Sequence, residues 1–286
     1  MVGRGELTEA AWAQIAPLLP GNGRRGGQWH DHRPIINGIL WRLRTGAPWR
    51  DLPARYGRWQ TCYDRFVCWR RDGTWDRLLT QVQTRSDAVG SLDWVVSVDS
   101  TSVRAHQHAA GARKRPARAD TKGGPFGDHN EALGRSRGGL TTKAHLACDG
   151  SGRPLSIVVT PGQRHDSTQL VPVLDAIGVP RPGGRGRPRK RPAYLIADKG
   201  YSYPTCRRLL RRRGIPHTIP ERSDQRAQRR GRPPAFDRDH YRQRNVVERC
   251  ANRLKQWRAV ATRYDKRAAN YRAGVVIAAL LLWLEP

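Results

Sequence analysis

Hydrophobic residues recur at helical spacing through the N-terminal part of the chain, between residues 6 and 85. A first helix is predicted over residues 6–19, where Thr8 is the candidate N-cap and Pro20 ends the pattern. Further helices are predicted over residues 34–44, 61–69 and 75–82. Short helices with arginines on their outer faces are typical of a helix-turn-helix module, although small helical bundles of any purpose share the pattern. We therefore predict a small all-α, helix-turn-helix-like domain over residues 1–88.

Short runs of β-branched residues replace the helical pattern from residue 94 onwards. Strands are predicted at residues 94–103, 139–148, 154–162, 194–197 and 217–219. Helices are predicted at residues 166–177, at 204–213 and from 238 to the end, where the apolar run 273–284 indicates a buried terminal helix. Strands first and then alternating strands and helices predict an α/β fold, a mixed sheet flanked by helices, in a second domain over residues 89–286.

Three segments carry many arginines, glycines and prolines and have no apolar periodicity. They span about residues 110–138, 181–192 and 221–234. We expect surface loops that become ordered only on a polyanion. The last two contain Arg-Gly-Arg-Pro, at 185–188 and 230–233, which resembles the core of an AT-hook. Contact with phosphates without sequence preference is the simpler interpretation of these two loops.

The charge of the chain changes this picture from a generic α/β protein to one with a polyanionic partner. The 286 residues include 53 Lys or Arg and 24 Asp or Glu, a formal net charge of +29. A hydrophobic content of 37% and ten tryptophans argue against a wholly disordered chain. A GC-rich coding sequence could favour arginine over lysine, but it would not create this surplus. DNA or RNA is the expected partner, with the N-terminal domain as one contact region.

Several classes of protein are excluded by simple patterns. No apolar run reaches the roughly 18 residues of a membrane span, and the N-terminus lacks the apolar stretch of a signal peptide. Five scattered cysteines without C-x-x-C spacing predict neither a disulfide framework nor a zinc knuckle. The Gly-rich pieces lack a P-loop, so ATP is not expected. We expect a soluble cytoplasmic protein, with chance proximity as the simpler interpretation of the pairs His30 and His32, and His106 and His108.

Predicted strands carry two aspartates, Asp99 at or beyond the middle of one strand and Asp198 at the end of another, where a turn follows. Asp99 follows Val95, Val96 and Val98, and Asp198 ends the run Leu195, Ile196, Ala197. Ligand sites of open α/β sheets lie beyond such strand ends. A buried carboxylate needs a cation, a metal or a hydrogen-bond donor, so either residue is a candidate for chemistry. A turn or cap residue is the alternative interpretation of each aspartate.

A third acid lies on a predicted amphipathic helix near the C-terminus. Tyr241, Arg244, Glu248 and Lys255 are spaced by three, four and seven residues, which places them along one stripe of a single helix. The opposite side is apolar and can pack on the sheet; it carries Val246, Val247, Cys250, Ala251, Leu254 and Trp257. Ordinary ion pairs on a solvated face remain an alternative interpretation of the stripe.

These motifs together resemble a known family. The spacing Tyr-x2-Arg-x3-Glu-x6-Lys resembles the signature of DDE transposases of the insertion-sequence-four supergroup. SVDSTSVRAH around Asp99 and LIADKGYSY around Asp198 resemble the first and second catalytic-acid motifs of that group. The segment from RGGLTTKAHL to RHDSTQL, and the N-terminal motifs LTEAAWAQIAPLLP and GAPWRDLP, are similar to the insertion-sequence-five family. The resemblance covers nearly the whole chain.

The resemblance implies a fold, an activity and a set of functional residues. It implies a ribonuclease-H-like domain in which Asp99, Asp198 and Glu248 hold two Mg²⁺ ions, with Mn²⁺ as a substitute, and carry out DNA strand cleavage and strand transfer. Tyr241, Arg244 and Lys255 would contact DNA, so the basic residues of the stripe would serve the substrate and not pair with Glu248. Expected partners are double-stranded DNA, both terminal inverted repeats and target, and further copies of the chain. The expected location is the bacterial nucleoid.

Two alternatives stay open at the level of sequence. A ribonuclease-H-like nuclease would keep the acids and cut DNA without strand transfer. A transposase-derived DNA-binding protein would have no catalytic activity, and it would have no need of three acids in so basic a chain.

Overall fold

The computed structural model describes residues 5–21, 29, 31–112, 131–136, 138–181, 183–184 and 186–285. Its N-terminal part is helical, as predicted, with helices α1 (Glu9–Ile15), α2 (His32–Thr45), α3 (Trp59–Arg71) and α4 (Thr74–Ala88). The hydroxyl of Thr8 accepts a hydrogen bond from the Ala11 amide, which confirms Thr8 as the N-cap of α1. Short 3₁₀ turns continue α1 over Ala16–Leu18 and lie between α2 and α3.

The remainder of the chain alternates strands and helices. After β1 (Val95–Ala105) come α5 (Gln107–Ala110), β2 (Gly134–Ser136), β3 (Gly139–Cys148), β4 (Pro154–Pro161), α6 (Leu170–Asp175), β5 (Tyr194–Ala197), α7 (Pro204–Arg212), β6 (His217–Thr218), α8 (Ser223–Ala227), α9 (Arg238–Arg242), α10 (Asn245–Lys255), α11 (Arg258–Ala261), β7 (Thr262–Arg263) and α12 (Ala268–Leu284). The five predicted strands are therefore present, each within two residues of its predicted ends.

One mixed sheet organises this part of the molecule. Strands β4, β3 and β1 are antiparallel neighbours, and β5 and then β6 continue the sheet parallel to β1. The short strands β2 and β7 add to β3 and β1. Three antiparallel strands followed by two strands parallel to the first form the sheet of a ribonuclease-H-like fold, so the predicted fold class is confirmed.

The sheet carries helices on both faces. Cys148 of β3 and Cys250 of α10 are buried in contact, so α10 covers one face with its apolar side. Ser156 of β4 donates a hydrogen bond to the Val173 carbonyl, so α6 covers the other face. The apolar residues predicted for the inner side of α10 are buried or packed against the core.

The C-terminal helix α12 joins the sheet to the N-terminal helices. Trp283 of α12 donates a hydrogen bond to the Pro154 carbonyl, and Gln83 of α4 donates to the same oxygen. Arg272 of α12 forms an ion pair with Asp76 of α4 at 2.7 Å. One buried cluster thus includes residues from both predicted domains. No helix among the described residues is long and apolar enough to cross a membrane.

The structure corrects three predictions. The helix expected from residue 238 onwards is interrupted: α9, α10 and α11 are separate, and β7 pairs with β1 before α12 begins. The loop expected at 110–138 includes the last residue of α5 and strand β2, which hydrogen-bonds to β3, while residues 113–130 and 137 lie outside the described residues. The loop expected at 221–234 contains α8. Strands β2 and β7 contain no hydrophobic residue, so no apolar pattern marks them, which is why they escaped prediction.

Candidate active site

Asp99 and Asp198 lie side by side on two parallel neighbouring strands, with Asp99 in the middle of β1 and Asp198 directly after the end of β5. Val98 of β1 is in register with Ala197 of β5, and each aspartate is the next residue of its chain segment. Because side chains alternate in step along adjacent strands, both carboxylates lie on the same face of the sheet. Asp198 also caps a 3₁₀ turn, since its Oδ1 accepts a hydrogen bond of 2.8 Å from the Gly200 amide. The cap and the site are therefore compatible interpretations of this residue.

Asp99 is in an environment that disfavours its charged form. Burial raises its pKa to about 6. A 2.7 Å hydrogen bond from the Ser100 amide to its Oδ1 lowers the pKa, the charge of Asp198 raises it, and that of Arg244 lowers it. A cation beside this carboxylate would offset the unfavourable burial of its charge. Asp99 is thus suited to binding a cation and poorly suited to remaining an isolated anion.

Glu248 is linked to Asp99 through an arginine. It lies in the first turn of α10, and the guanidinium of Arg244 is 2.7 Å from its Oε1 and 3.6 Å from Oδ2 of Asp99. One cation therefore links two of the three predicted acids. The expectation that Arg244 would not pair with Glu248 is wrong for this structure, since the four-residue spacing at the start of a helix brings the two side chains together.

Tyr241 belongs to a different helix from Glu248. It lies in α9, and α-helical bonding lapses between α9 and α10, where Arg244 donates to the Tyr241 carbonyl three residues back. The prediction that these residues form one stripe on a single helix is therefore wrong. Burial raises the pKa of the Tyr241 phenol, and the charges of Arg244, Asp198, Glu248 and Asp99 also act on it. The interruption leaves Tyr241 beside the acids.

Lys255 lies further along the same face, at the C-terminal end of α10. Its Nζ donates a hydrogen bond of 3.2 Å to the Ser102 carbonyl of β1, three residues beyond Asp99. Burial lowers the pKa of this ammonium group. The described residues show no ion pair for Lys255. Its charge is thus free to meet an anion that approaches the end of β1.

A fourth carboxylate, which the sequence interpretation missed, lies against the other face of β1. Oδ1 of Asp166 accepts hydrogen bonds from Ser100 Oγ at 2.7 Å and from Lys143 Nζ at 3.0 Å. His145 Nδ1 is 3.7 Å away, and burial lowers the pKa of that imidazole to about 4. The charge of Asp166 also contributes to the raised pKa of Asp99. Its neighbour His165 caps the turn that follows, since its side chain accepts a hydrogen bond from the Ser167 amide.

The only signal for Asp166 was its position in a segment that carries the family resemblance. No rule of spacing connects it with Ser100 or Lys143, because the three residues lie on three different elements. The packing of the 3₁₀ turn Asp166–Gln169 against the sheet brings them together.

Tyr201 places a buried phenol near the same acids. Its ring is fully buried, and its hydroxyl has no hydrogen-bond partner within the part of the chain that the structure describes. Burial raises its pKa well above the ordinary value, and Asp166, Asp99 and Asp198 add to this effect. An unpartnered polar atom beside a group of carboxylates is consistent with a site for a polar ligand.

The carboxylates at this site are the type of ligand that a hard cation binds, but they are not arranged around a common point in this structure. Carboxylate oxygens are the ligands that Mg²⁺ prefers. Among the described residues, no three His, Cys, Asp or Glu side chains are grouped so that they could hold a metal ion. The guanidinium of Arg244 contacts both Glu248 and Asp99, at the place where a cation between these carboxylates would lie.

The histidine pairs have other roles. His30 lies outside the described residues, and His32 packs edge-on against Trp69 and is 3.1 Å from the Pro20 carbonyl. His106 caps α5 by accepting from the His108 amide.

Comparison with known proteins identifies the family to which this chain belongs. Residues 90–283 match the family model described as "Transposase DDE domain". The chain belongs to the transposase DDE domain family. Residues 7–79 match a second model, described as "Putative transposase of IS4/5 family". The chain is thus a DDE transposase of the IS4/IS5 type, an enzyme of DNA cleavage and transposition, and DDE transposase domains generally use divalent metal ions.

Two curated relatives carry the name of putative transposases, and a third is an uncharacterised protein. "Putative transposase for insertion sequence element IS402" from Burkholderia cepacia is 34% identical over 141 residues, which are 49% of this chain and 62% of the relative. The IS6501 transposase of Brucella ovis is 27% identical over 150 residues, 51% of this chain and 100% of the relative. "Uncharacterized protein y4sN" from Sinorhizobium fredii is 38% identical over 110 residues, 38% of this chain and 83% of the relative.

Among solved structures, the crystal structure of the Mos1 strand transfer complex matches with 13% identity and a TM-score of 0.26. The match covers 80% of this chain and 79% of that chain. The ribonuclease-H-like assignment of this transposase therefore rests on its strand order and its family.

Proposed function

We propose that this transposase binds the ends of an insertion sequence and catalyses metal-dependent cleavage and transfer of DNA strands, with Asp99, Asp198 and Glu248 as its catalytic carboxylates. The observation that carries the proposal is the meeting of these acids: Asp99 lies within β1, Asp198 directly follows the parallel neighbour β5 on the same face, and Arg244 links Asp99 to Glu248. A basic protein has little reason to gather acids unless they bind a cation.

Two Mg²⁺ ions, for which Mn²⁺ can substitute, are the proposed cofactor. When bound, such a pair activates the attacking oxygen and stabilises the leaving oxygen of a phosphodiester. Asp99 would hold both ions, with Asp198 and Glu248 each holding one. Glu248 and Asp99 share the guanidinium of Arg244 in this structure, so binding both ions requires Arg244 to release them. A phosphate of the DNA is the natural new partner for the released guanidinium.

The remaining proposed contacts position the DNA. Lys255 would hold a phosphate near the end of β1, and Tyr241 would contact the terminal nucleotides. The N-terminal helices would contribute to recognition of the terminal inverted repeats. Double-stranded DNA is the proposed partner, both as element end and as target, and we expect the transposase to act as a homo-oligomer on it.

Single isosteric substitutions test the proposal. Asp99→Asn, Asp198→Asn and Glu248→Gln remove charge and keep side-chain volume, so each should abolish Mg²⁺-dependent cleavage and joining of the flanking terminal repeats while DNA binding persists. Asp239→Asn is the matched control, because Asp239 lies on the neighbouring helix α9 and its side chain is 87% exposed. Glu248→Gln protein that joins strands near the wild-type rate would overturn the proposal.

One observation favours a second candidate. The ion pair between Arg244 and Glu248 would also suit a transposase-derived DNA-binding protein that does not catalyse. The wild-type chain would then bind DNA without cutting it in Mg²⁺ or Mn²⁺. Cutting without joining would instead indicate a nuclease on the same fold.

A further inference from the structure

A second basic feature lies away from the acids. An open cleft of about 920 Å³ is lined by five cationic residues and no acid, together with Pro188, Pro192 and Ala193; the cations are Arg181, Arg187, Arg189, Lys190 and Arg191. All of these cations except Arg189 are exposed. Like charges so close together repel one another unless an anion lies among them.

Arg189 anchors this cleft to the body of the protein. Its backbone pairs with Val179 in both directions, at 2.8 and 3.0 Å. Its guanidinium lies 3.9 Å above the ring of Trp94 and 3.9 Å from Oδ1 of Asp87, which in turn accepts a hydrogen bond from the indole of Trp94. The exposed cations on either side of Arg189 are therefore carried on a segment with a fixed point of attachment.

The cleft and the acids lie at different positions along the same two strands, β1 and β5. Trp94 directly precedes β1, and Ala193, which directly precedes β5, donates a backbone hydrogen bond to it. Asp99 lies further along β1, and Asp198 directly follows the other end of β5. At about 3.3 Å per residue, the four residues from Val95 to Asp99 separate the start of β1 from Asp99 by about 13 Å. A phosphate in the cleft therefore does not belong to the scissile group.

We propose that this cleft binds the phosphate backbone of a second segment of double-stranded DNA, distinct from the segment at the acids. The proposal rests on the proposed function only in taking DNA as the polyanion. The cleft is open and its cations are spread along it, which suits an extended row of phosphates. A small anion would be held in an enclosed site by converging donors, and the described lining offers none.

The number of duplexes bound to each chain tests the proposal. The full-length protein would be titrated with a 15-bp duplex of arbitrary sequence, at concentrations well above the dissociation constant. Wild type should bind two duplexes per chain, and the triple variant Arg187→Ala, Lys190→Ala, Arg191→Ala should bind one. Removing three phosphate contacts should also reduce the steepness of the plot of log K against log salt concentration at this site by about 2.7.

A charge-matched variant separates position from charge. Arg258→Ala, Lys266→Ala, Arg267→Ala removes the same three charges from exposed positions outside the cleft and should still bind two duplexes. Equal losses in the two triple variants would overturn the proposal, because net charge alone would then explain binding. An unchanged stoichiometry in the first triple variant would overturn it as well.

Two further measurements separate this proposal from others. Inorganic triphosphate that binds the cleft tightly while duplex DNA does not would overturn the proposal in favour of a small-anion site. Asp99→Asn should still bind two duplexes, because the cleft does not depend on catalysis. A chain that binds two duplexes but never cuts would refute the proposed function and leave the second DNA site standing.

Discussion

The guanidinium of Arg244 forms an ion pair with Glu248 at 2.7 Å and also lies 3.6 Å from Asp99. The side chains of Arg244 and Glu248 are 25% and 50% exposed, so solvent screens the pair. Exposed pairs of this kind contribute about 0.2–1 kcal/mol to stability. The arrangement is therefore weak enough for a competing phosphate and a competing metal to replace it.

Arg244→Ala should cost little stability and much activity. We expect the free energy of unfolding to fall by about 0.5 kcal/mol, since alanine is well tolerated in helices. Strand joining should slow by at least about tenfold, equivalent to about 1.4 kcal/mol, because a phosphate contact is lost. Thermal melting and a joining assay check both effects. Arg242→Ala is the control, since its side chain is 81% exposed and pairs with Asp239. A markedly lower melting temperature with unchanged joining would make Arg244 a purely structural residue.

Lys255→Ala should weaken the engagement of DNA at the end of β1. The substitution removes one hydrogen bond to the Ser102 carbonyl and one half-buried charge, so we expect a small change in melting temperature. Affinity for a duplex that carries the element end should fall, with a salt dependence shallower by about 0.9. Fluorescence anisotropy at several salt concentrations measures both quantities. If Lys255→Ala leaves the salt dependence unchanged, this residue contacts no phosphate.

Asp166→Asn should move the pH dependence of strand cleavage. The charge of Asp166 raises the pKa of Asp99, so its removal should lower that pKa, and Asp99 should stay ionised to lower pH. The acidic limb of the pH–rate profile for strand cleavage should therefore shift to lower pH. Asp175→Asn is the control. Asp175 lies on α6, the helix that follows the turn of Asp166, and its side chain is 56% exposed and pairs with Arg213. Identical pH profiles for the two variants would show that Asp166 acts only on structure.

The buried imidazole of His145 should make the stability of the fold decrease at acidic pH. Burial lowers its pKa from 6.5 to about 4, so between these values the unfolded chain binds a proton that the folded chain does not. Stability is therefore fully present above pH 6.5 and is lost as the pH falls towards 4, by at most about 3 kcal/mol. Melting curves of wild type and His145→Gln between pH 7 and 4.5 measure the difference. An equal loss in both proteins would exclude His145 as the cause.

Removal of residues 1–88 should prevent folding of the rest. That segment includes α4, which packs on α12 through the ion pair of Asp76 with Arg272 and through Gln83, which bonds to β4. Without α4, the apolar surface of α12 would be exposed to water. We expect an aggregated or non-cooperative product in circular dichroism melting. Cooperative melting of residues 89–286 alone would show that the two segments fold independently.

Local patterns in the sequence determined five of the seven described strands, most of the helices and the choice of the three candidate acids. Strands β1 and β5 are predictable because their hydrophobic residues are consecutive, and Asp99 and Asp198 are visible because each follows such a run. Thr8 is predictable as an N-cap because the chemistry of a cap involves only residues three apart. In each case the interacting residues are close in sequence.

Only the tertiary structure decided which charges meet. The pairing of Arg244 with Asp99, of Asp166 with Ser100 and Lys143, and of Arg272 with Asp76 joins residues that lie 23 to 196 positions apart. Two-residue strands such as β7 have too few positions for a pattern, and the pairing of β7 with β1 is set by the packing of α11 and α12. The sequence by itself determined the acids and their strands, and the long-range packing decided which cation holds them.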